Sequence, residues 1–128
     1  MGGNPLPCPC GRGNRYEACC GPLHQGVTAA DAEALMRSRY SAYVLHLESY
    51  LLSTWHASTR PPHIGFDDEP ALKWLGLQVK RHETSGESAV VEFAARYRQG
   101  GRGQRLHEVS RFVREAGRWY YVAGEFVG

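Results

Sequence analysis

Apolar positions divide the chain into three stretches with different periods. From Met1 to about Gly26 there is no period: Gly, Pro and Cys dominate, large aliphatics are few, and the segment cannot build a core of its own. From Thr28 the period becomes helical. Met36, Tyr40, Tyr43, Leu47 and Tyr50 recur at steps of three and four, which predicts one buried face of a helix starting near Ala29. Thr28 followed by Asp31 reads as a capping box at its start. Leu51-Leu52-Ser53-Thr54-Trp55 reads as a second short helix or the end of the first, and Pro61-Pro62 forbids continuation.

A loop then runs to about Pro70, and from Leu72 the period falls to two. Aromatic and β-branched residues alternate with polar ones, so strands are predicted near 73–83, 88–98, 104–114 and 118–126. In the second, Val91, Phe93, Ala95 and Tyr97 share one face, while Glu92, Arg96 and Arg98 share the other. Short turns at Ser85-Gly86, Gly100-Gly101-Arg102-Gly103 and Ala116-Gly117 require antiparallel neighbours. Helices followed by a meander give an α+β fold, with the helices packed on one face of a curved sheet. Residues 1–26 form an appendage and 27–128 the main domain.

Composition narrows the classes. Hydrophobic residues at 42% and charged residues at 22% fit a folded globular chain, so wholesale disorder is excluded. No apolar run approaches the ~20 residues that span a bilayer. The N-terminus lacks the layout of a secretory signal, and the expected location is the cytoplasm without membrane insertion. Net charge is only +2, but seven arginines lie between 96 and 118 (96, 98, 102, 105, 111, 114, 118) against Glu108 and Glu115. That stretch is either a basic surface for phosphates or an acidic partner, or a solvated face balanced by acidic loops such as Asp67-Asp68-Glu69.

All four cysteines fall in the first 20 residues, as Cys8-Pro9-Cys10 and Cys19-Cys20 across a short loop. Two tight pairs can supply the four corners of a tetrahedral Zn²⁺ site. Gly11 and Gly13 allow a sharp backbone path, and Arg12 and Arg15 stand near enough to offset the negative charge of four thiolates. A pair of disulfides is the competing reading, although bridges within either tight pair would be strained. His24 is a second candidate for the fourth ligand in place of Cys20. A closed four-cysteine site has no open position, so its zinc would organise the chain and would not catalyse.

Cys8-Pro9-Cys10-Gly11-Arg12-Gly13, Tyr16 and Cys19-Cys20-Gly21 closely resemble the SEC-C motif, which usually carries a serine where Arg12 stands and lysine near Asn14 or Arg15. The motif also occurs at the end of the protein-export motor ATPase, where it binds zinc and contacts an export chaperone. The remainder resembles the YchJ family. The residues that carry this are Leu35-Met36-Arg37-Ser38-Arg39-Tyr40-Ser41-Ala42-Tyr43, Thr54-Trp55-His56, Trp74-Leu75-Gly76-Leu77, Glu108-x-Ser110-Arg111-Phe112 and Trp119-Tyr120-Tyr121. That family joins a SEC-C motif to a nuclear transport factor two-like (NTF2-like) domain, a cystatin-like cone of helices wrapped by a curved sheet. The resemblance implies one structural zinc and this fold, but no particular reaction.

A cone of this kind can hold a ligand between helices and sheet. Polar candidates for such a pocket are Arg37, Arg39, Tyr40, Trp55, His56, Glu108, Ser110 and Arg111. Arg37 or Arg39 could reach Glu108, and His56 could act as a general acid or base. Tyr16, Tyr40, Tyr43, Trp55 and Trp74 either line that pocket or fill it. Two functions therefore stand side by side. One is an interaction module whose zinc knuckle meets a protein or ribosomal partner, the export chaperone being one by resemblance. The other is a small-molecule binder or enzyme, with hydratase- or isomerase-like chemistry around His56 and Glu108. RNA binding through the arginine stretch is a third.

Overall fold

In the computed structural model, which describes residues 6–66 and 72–127, the order is a short 3-10 turn (Tyr16–Ala18), helices α1 (Cys20–His24), α2 (Ala32–Leu45) and α3 (Glu48–Ser53), then strands β1 (Leu72–Ser85), β2 (Ser88–Gln99), β3 (Arg102–Glu115) and β4 (Arg118–Phe126). The strands pair in sequence order as an antiparallel four-stranded sheet. The period-two pattern placed each of them to within a few residues. The expected loop to Pro70, including Asp67-Asp68-Glu69, lies partly outside the described residues.

Curvature comes from three register shifts. Two sit between Trp74 and Gly76 and between Val79 and Arg81 on β1, and one between Arg111 and Phe112 where β3 meets β4. Each extra residue bends and twists its strand, so a sheet with 14-residue strands wraps α2. The concave face buries Val91, Phe93, Ala95, Phe112 and Trp119 against Leu35, Met36 and Tyr40 of α2. Cys8, Cys10 and Cys20 belong to the same core cluster, so the Gly- and Cys-rich segment shares the core of the main domain.

Two expectations about the helices are corrected. The N-cap of α2 is Asp31 and not Thr28: its side chain accepts from the Ala34 amide at 2.8 Å, and the helix begins three residues later than the capping-box reading placed it. A cap of this kind contributes about 1 kcal/mol, so Asp31→Ala should lower unfolding free energy by that amount in urea titration. The aromatic stripe also spans two helices. His46 adopts a left-handed conformation (φ 58°) and the Leu47 amide donates to Ala42 O at 2.8 Å, a Schellman-type stop. Met36, Tyr40 and Tyr43 therefore lie on α2, while Leu47 caps α3 and Tyr50 lies within it.

Candidate metal centre

The N-terminal loop is built around its four sulfurs. Cys8 N–H donates to Asn14 O at 2.9 Å and Gly11 N–H to Cys8 O at 3.2 Å, folding residues 8–14 into a tight turn. Gly11 (φ 78°) and Gly13 (φ 98°) occupy the left-handed region that this turn requires. Cys19 and Cys20 then arrive at the start of α1. Every pair of the four Sγ atoms lies within 4.8 Å, and Cys10 Sγ is 3.6 Å from Cys19 Sγ. Four sulfurs at ~2.3 Å from one ion stand about 3.8 Å apart along a tetrahedron's edges, so the donor set fits a metal of zinc's size. All four cysteines are free of disulfides.

Electrostatics give the same fit. Hydrogen bonding from Cys20 lowers the Cys10 thiol far below its ordinary value, helped by the backbone of Arg12. Burial first, then Cys10, pushes Cys19 up, and the shared hydrogen bond with Cys10 together with burial pushes Cys20 up. One thiolate forms readily and resists the next. A cation between the sulfurs would favour ionisation of Cys19 and Cys20 as well, so the four cysteines could hold a metal ion and would bind it with release of protons.

The surroundings of the sulfurs differ from the expected ones. Arg12 turns its side chain to Glu33 at 3.6 Å and Arg15 to Glu17 at 3.4 Å, so neither guanidinium offsets the thiolates. The residue that sequence reasoning missed is Ser41. Its fully buried hydroxyl donates to Cys20 Sγ at 3.3 Å and stands 3.5 Å from Cys8 Sγ. A small hydroxyl on the inward face of α2 is the signal that could have found it. His24 is not a ligand. Its Nδ1 meets Tyr16 Oη at 2.6 Å and its Nε2 meets Ser38 O at 2.8 Å, so both ring nitrogens are occupied, and burial lowers its pKa.

The pocket candidates do not converge on one place. Arg37 bonds Glu33 at 2.9 Å and Cys10 O at 3.1 Å, beside the cysteines. Arg39 is buried, donates to Leu51 O and Thr54 Oγ1, and sits beside the touching rings of Trp55 and Tyr121. Neither forms the expected ion pair with Glu108, whose carboxylate accepts from Ser110 Oγ at 2.6 Å and occupies the space a Cβ on Gly124 would need. Tyr40 packs edge-on against Trp74, and Trp74 against Tyr97, so aromatic rings fill this part of the concave face. Arg111 is exposed on the convex face, opposite Val90 and Ala123.

His56 and Glu108 do not share a site. His56 Nε2 meets Glu115 at 2.8 Å, and Glu115 is seven residues along β3 from Glu108, roughly 24 Å at strand rise. No single substrate atom reaches both. A groove of about 430 Å³ lies elsewhere, beside α1, with Leu23, Val27, Leu35, Trp119 and Arg118 among its walls.

Fold and centre together define a class: a cysteine motif of SEC-C type docked on an NTF2-like α+β domain. The SEC-C motif model matches residues 6–22, and the model described as YchJ, middle NTF2-like domain, matches residues 31–124. A UPF0225 protein of Methylibium petroleiphilum is 57% identical over 124 residues, covering 94% of this chain and 89% of the relative. Another from Xanthomonas oryzae is 56% identical over 118 residues, covering 91% and 92%. Among solved structures, a SEC-C motif containing protein from Rhodopseudomonas palustris superposes with TM-score 0.85 at 39% identity, covering 96% of this chain and all of that one. A second, from Psychrobacter arcticus, gives 0.73 at 29% identity, covering 94% and 82%. The chain belongs to the YchJ family of UPF0225 proteins. No described helix is long and apolar enough to cross a membrane.

Proposed function

We propose that this is a zinc-binding interaction protein of the cytoplasm, in which Cys8, Cys10, Cys19 and Cys20 hold one structural Zn²⁺ and the loop they organise meets a protein partner. The observation that carries the reading is the convergence of four unbridged sulfurs within 4.8 Å. Bound zinc supplies charge neutralisation and cross-linking, and a closed four-sulfur set leaves no position for substrate. The chain's own residues do the rest. Ser41 and the Arg12 amide orient the sulfurs, and the turn carries Arg12, Asn14 and Arg15 outward as an exposed loop. Leu6, just before the loop, is exposed, and so is Val27 in the groove beside α1. Charge and apolar contact on one rigid loop suit a protein surface, with an export chaperone or the ribosome as partners suggested by the SEC-C resemblance.

The test has two parts. Native mass spectrometry should find one zinc per chain, lost in Cys19→Ser/Cys20→Ser. Affinity capture with the intact chain should retain a partner that this variant does not. Identical partner sets would remove the knuckle from the interaction, and a folded, zinc-free wild type would remove the metal.

A further inference from the structure

The convex face of the sheet carries a charge imbalance that the fold does not explain. Arg96 on β2 stands directly opposite Arg105 on β3, and Arg98 directly opposite Lys73 on β1. Like charges facing each other across strands are destabilising. Of the acids on this face, Glu92 pairs with His107 at 2.7 Å and with Arg81 at 3.2 Å, and Glu83 with Arg81 at 3.2 Å, while Glu125 lies on the outer strand β4 opposite Val109 and pairs with none of the four cations. Among the described residues Lys73, Arg96, Arg98 and Arg105 form no ion pair. The Arg96 guanidinium reaches over β1, so close to Gly76 that a Cβ there would stand 3.0 Å from Nη2. Gly76, Gln78, Ala94, Arg96 and Arg105 shape a depression of about 160 Å³.

We propose that this face binds the phosphodiester backbone of a nucleic acid, with Arg96 and Arg105 holding one phosphate in the depression and Arg98 and Lys73 the next. Guanidinium forks match phosphate oxygens two by two, and an arriving anion removes the repulsion that the empty face carries. Residues two apart on β2 are about 7 Å apart, so the cations form a track and not a point. The aromatic rings of β1 and β2 (Trp74, Phe93, Tyr97) belong to the concave face, so the patch offers charge without stacking platforms. Binding should therefore be indifferent to base sequence and dominated by counterion release.

The probe is a short oligouridine, with oligothymidine of equal length alongside, followed by fluorescence anisotropy. Four cations on a single strand give a log–log salt slope of about −3, or about 50-fold weaker binding between about 50 and about 200 mM salt. Both oligomers should bind alike. Arg96→Gln/Arg105→Gln should halve the slope, leaving about 7-fold weakening over that range. Arg114→Gln, which removes an arginine paired with Glu87 away from the patch, should leave the slope unchanged. Circular dichroism checks that both variants are folded. No binding at the lower salt, an unaltered slope in Arg96→Gln/Arg105→Gln, or equally tight binding of poly-glutamate would each overturn the proposal. None of these readouts depends on the zinc knuckle or its partner.

Discussion

Cys20→Ser is expected to release the metal and to lower Tm by about 12 °C, equivalent to about 3 kcal/mol for a chain of this size. The size of the effect follows from where the sulfurs sit. Cys8, Cys10 and Cys20 are 5%, 0% and 2% exposed and belong to the cluster that includes Leu35, Met36 and Phe112. Without an ion, Cys10 ionises readily while Cys19 and Cys20 resist, so the loop would lack the cross-link that a bound metal would supply between residues 8–20 and the core beneath α2. The damage should therefore spread into the main domain. Differential scanning calorimetry in the presence and absence of a strong chelator checks this. Chelated wild type should melt near Cys20→Ser, and Cys19→Ser, whose sulfur is at the rim, should behave the same way. A wild type whose melting ignores the chelator would contradict the account.

The parts of this arrangement that could be read in the sequence are those with local causes. Strand alternation places side chains on opposite faces regardless of what packs there, and two-residue turns fix antiparallel order, so β1 to β4 were legible. Cysteine spacing carries metal geometry almost by itself. Helix boundaries were less so, because Thr28 and Asp31 are both competent caps and only the docking of α2 selects Asp31. The break at His46 was invisible for a similar reason. A left-handed histidine is held by stacking on Phe66 at 4.4 Å, a contact twenty residues away in the chain. Side-chain partners were the least legible. Arg12 and Arg15 could reach the sulfurs, but Glu33 and Glu17 offered carboxylates, and Ser41 reached the sulfurs only because α2 lies beneath the loop. Glu108 and His56 both looked catalytic until the strand placed Glu108 in the middle of β3 and His56 against Glu115 at its end.

Arg39→Ala should cost about 3–5 kcal/mol, the largest effect expected outside the cysteines. The guanidinium is 5% exposed and has no carboxylate in contact among the described residues; burial pulls its pKa down, against the opposing influence of Tyr43, Tyr121, Tyr50 and Glu108. Four contacts make it tolerable. Nη1 donates to Leu51 O at 2.8 Å and to Thr54 Oγ1 at 2.6 Å, and the charged carbon stands 4.6 Å from the Tyr121 ring and 5.1 Å from that of Trp55. Those partners belong to α3, the segment after it and β4, so one side chain of α2 ties together the elements that meet where Trp55 bridges Tyr121. Truncation to alanine removes both donors and leaves the rings facing a void. Arg39→Met keeps the stem and sheds the desolvated charge, so it should lose only the two donors, about 1–2 kcal/mol. Arg39→Lys retains a charge but not the planar fork that meets the rings while donating twice, and should fall between them. Urea denaturation of the three variants gives the order directly. Methionine proving worse than alanine would mean that the charge itself, and not the packing around it, holds α2 to the sheet.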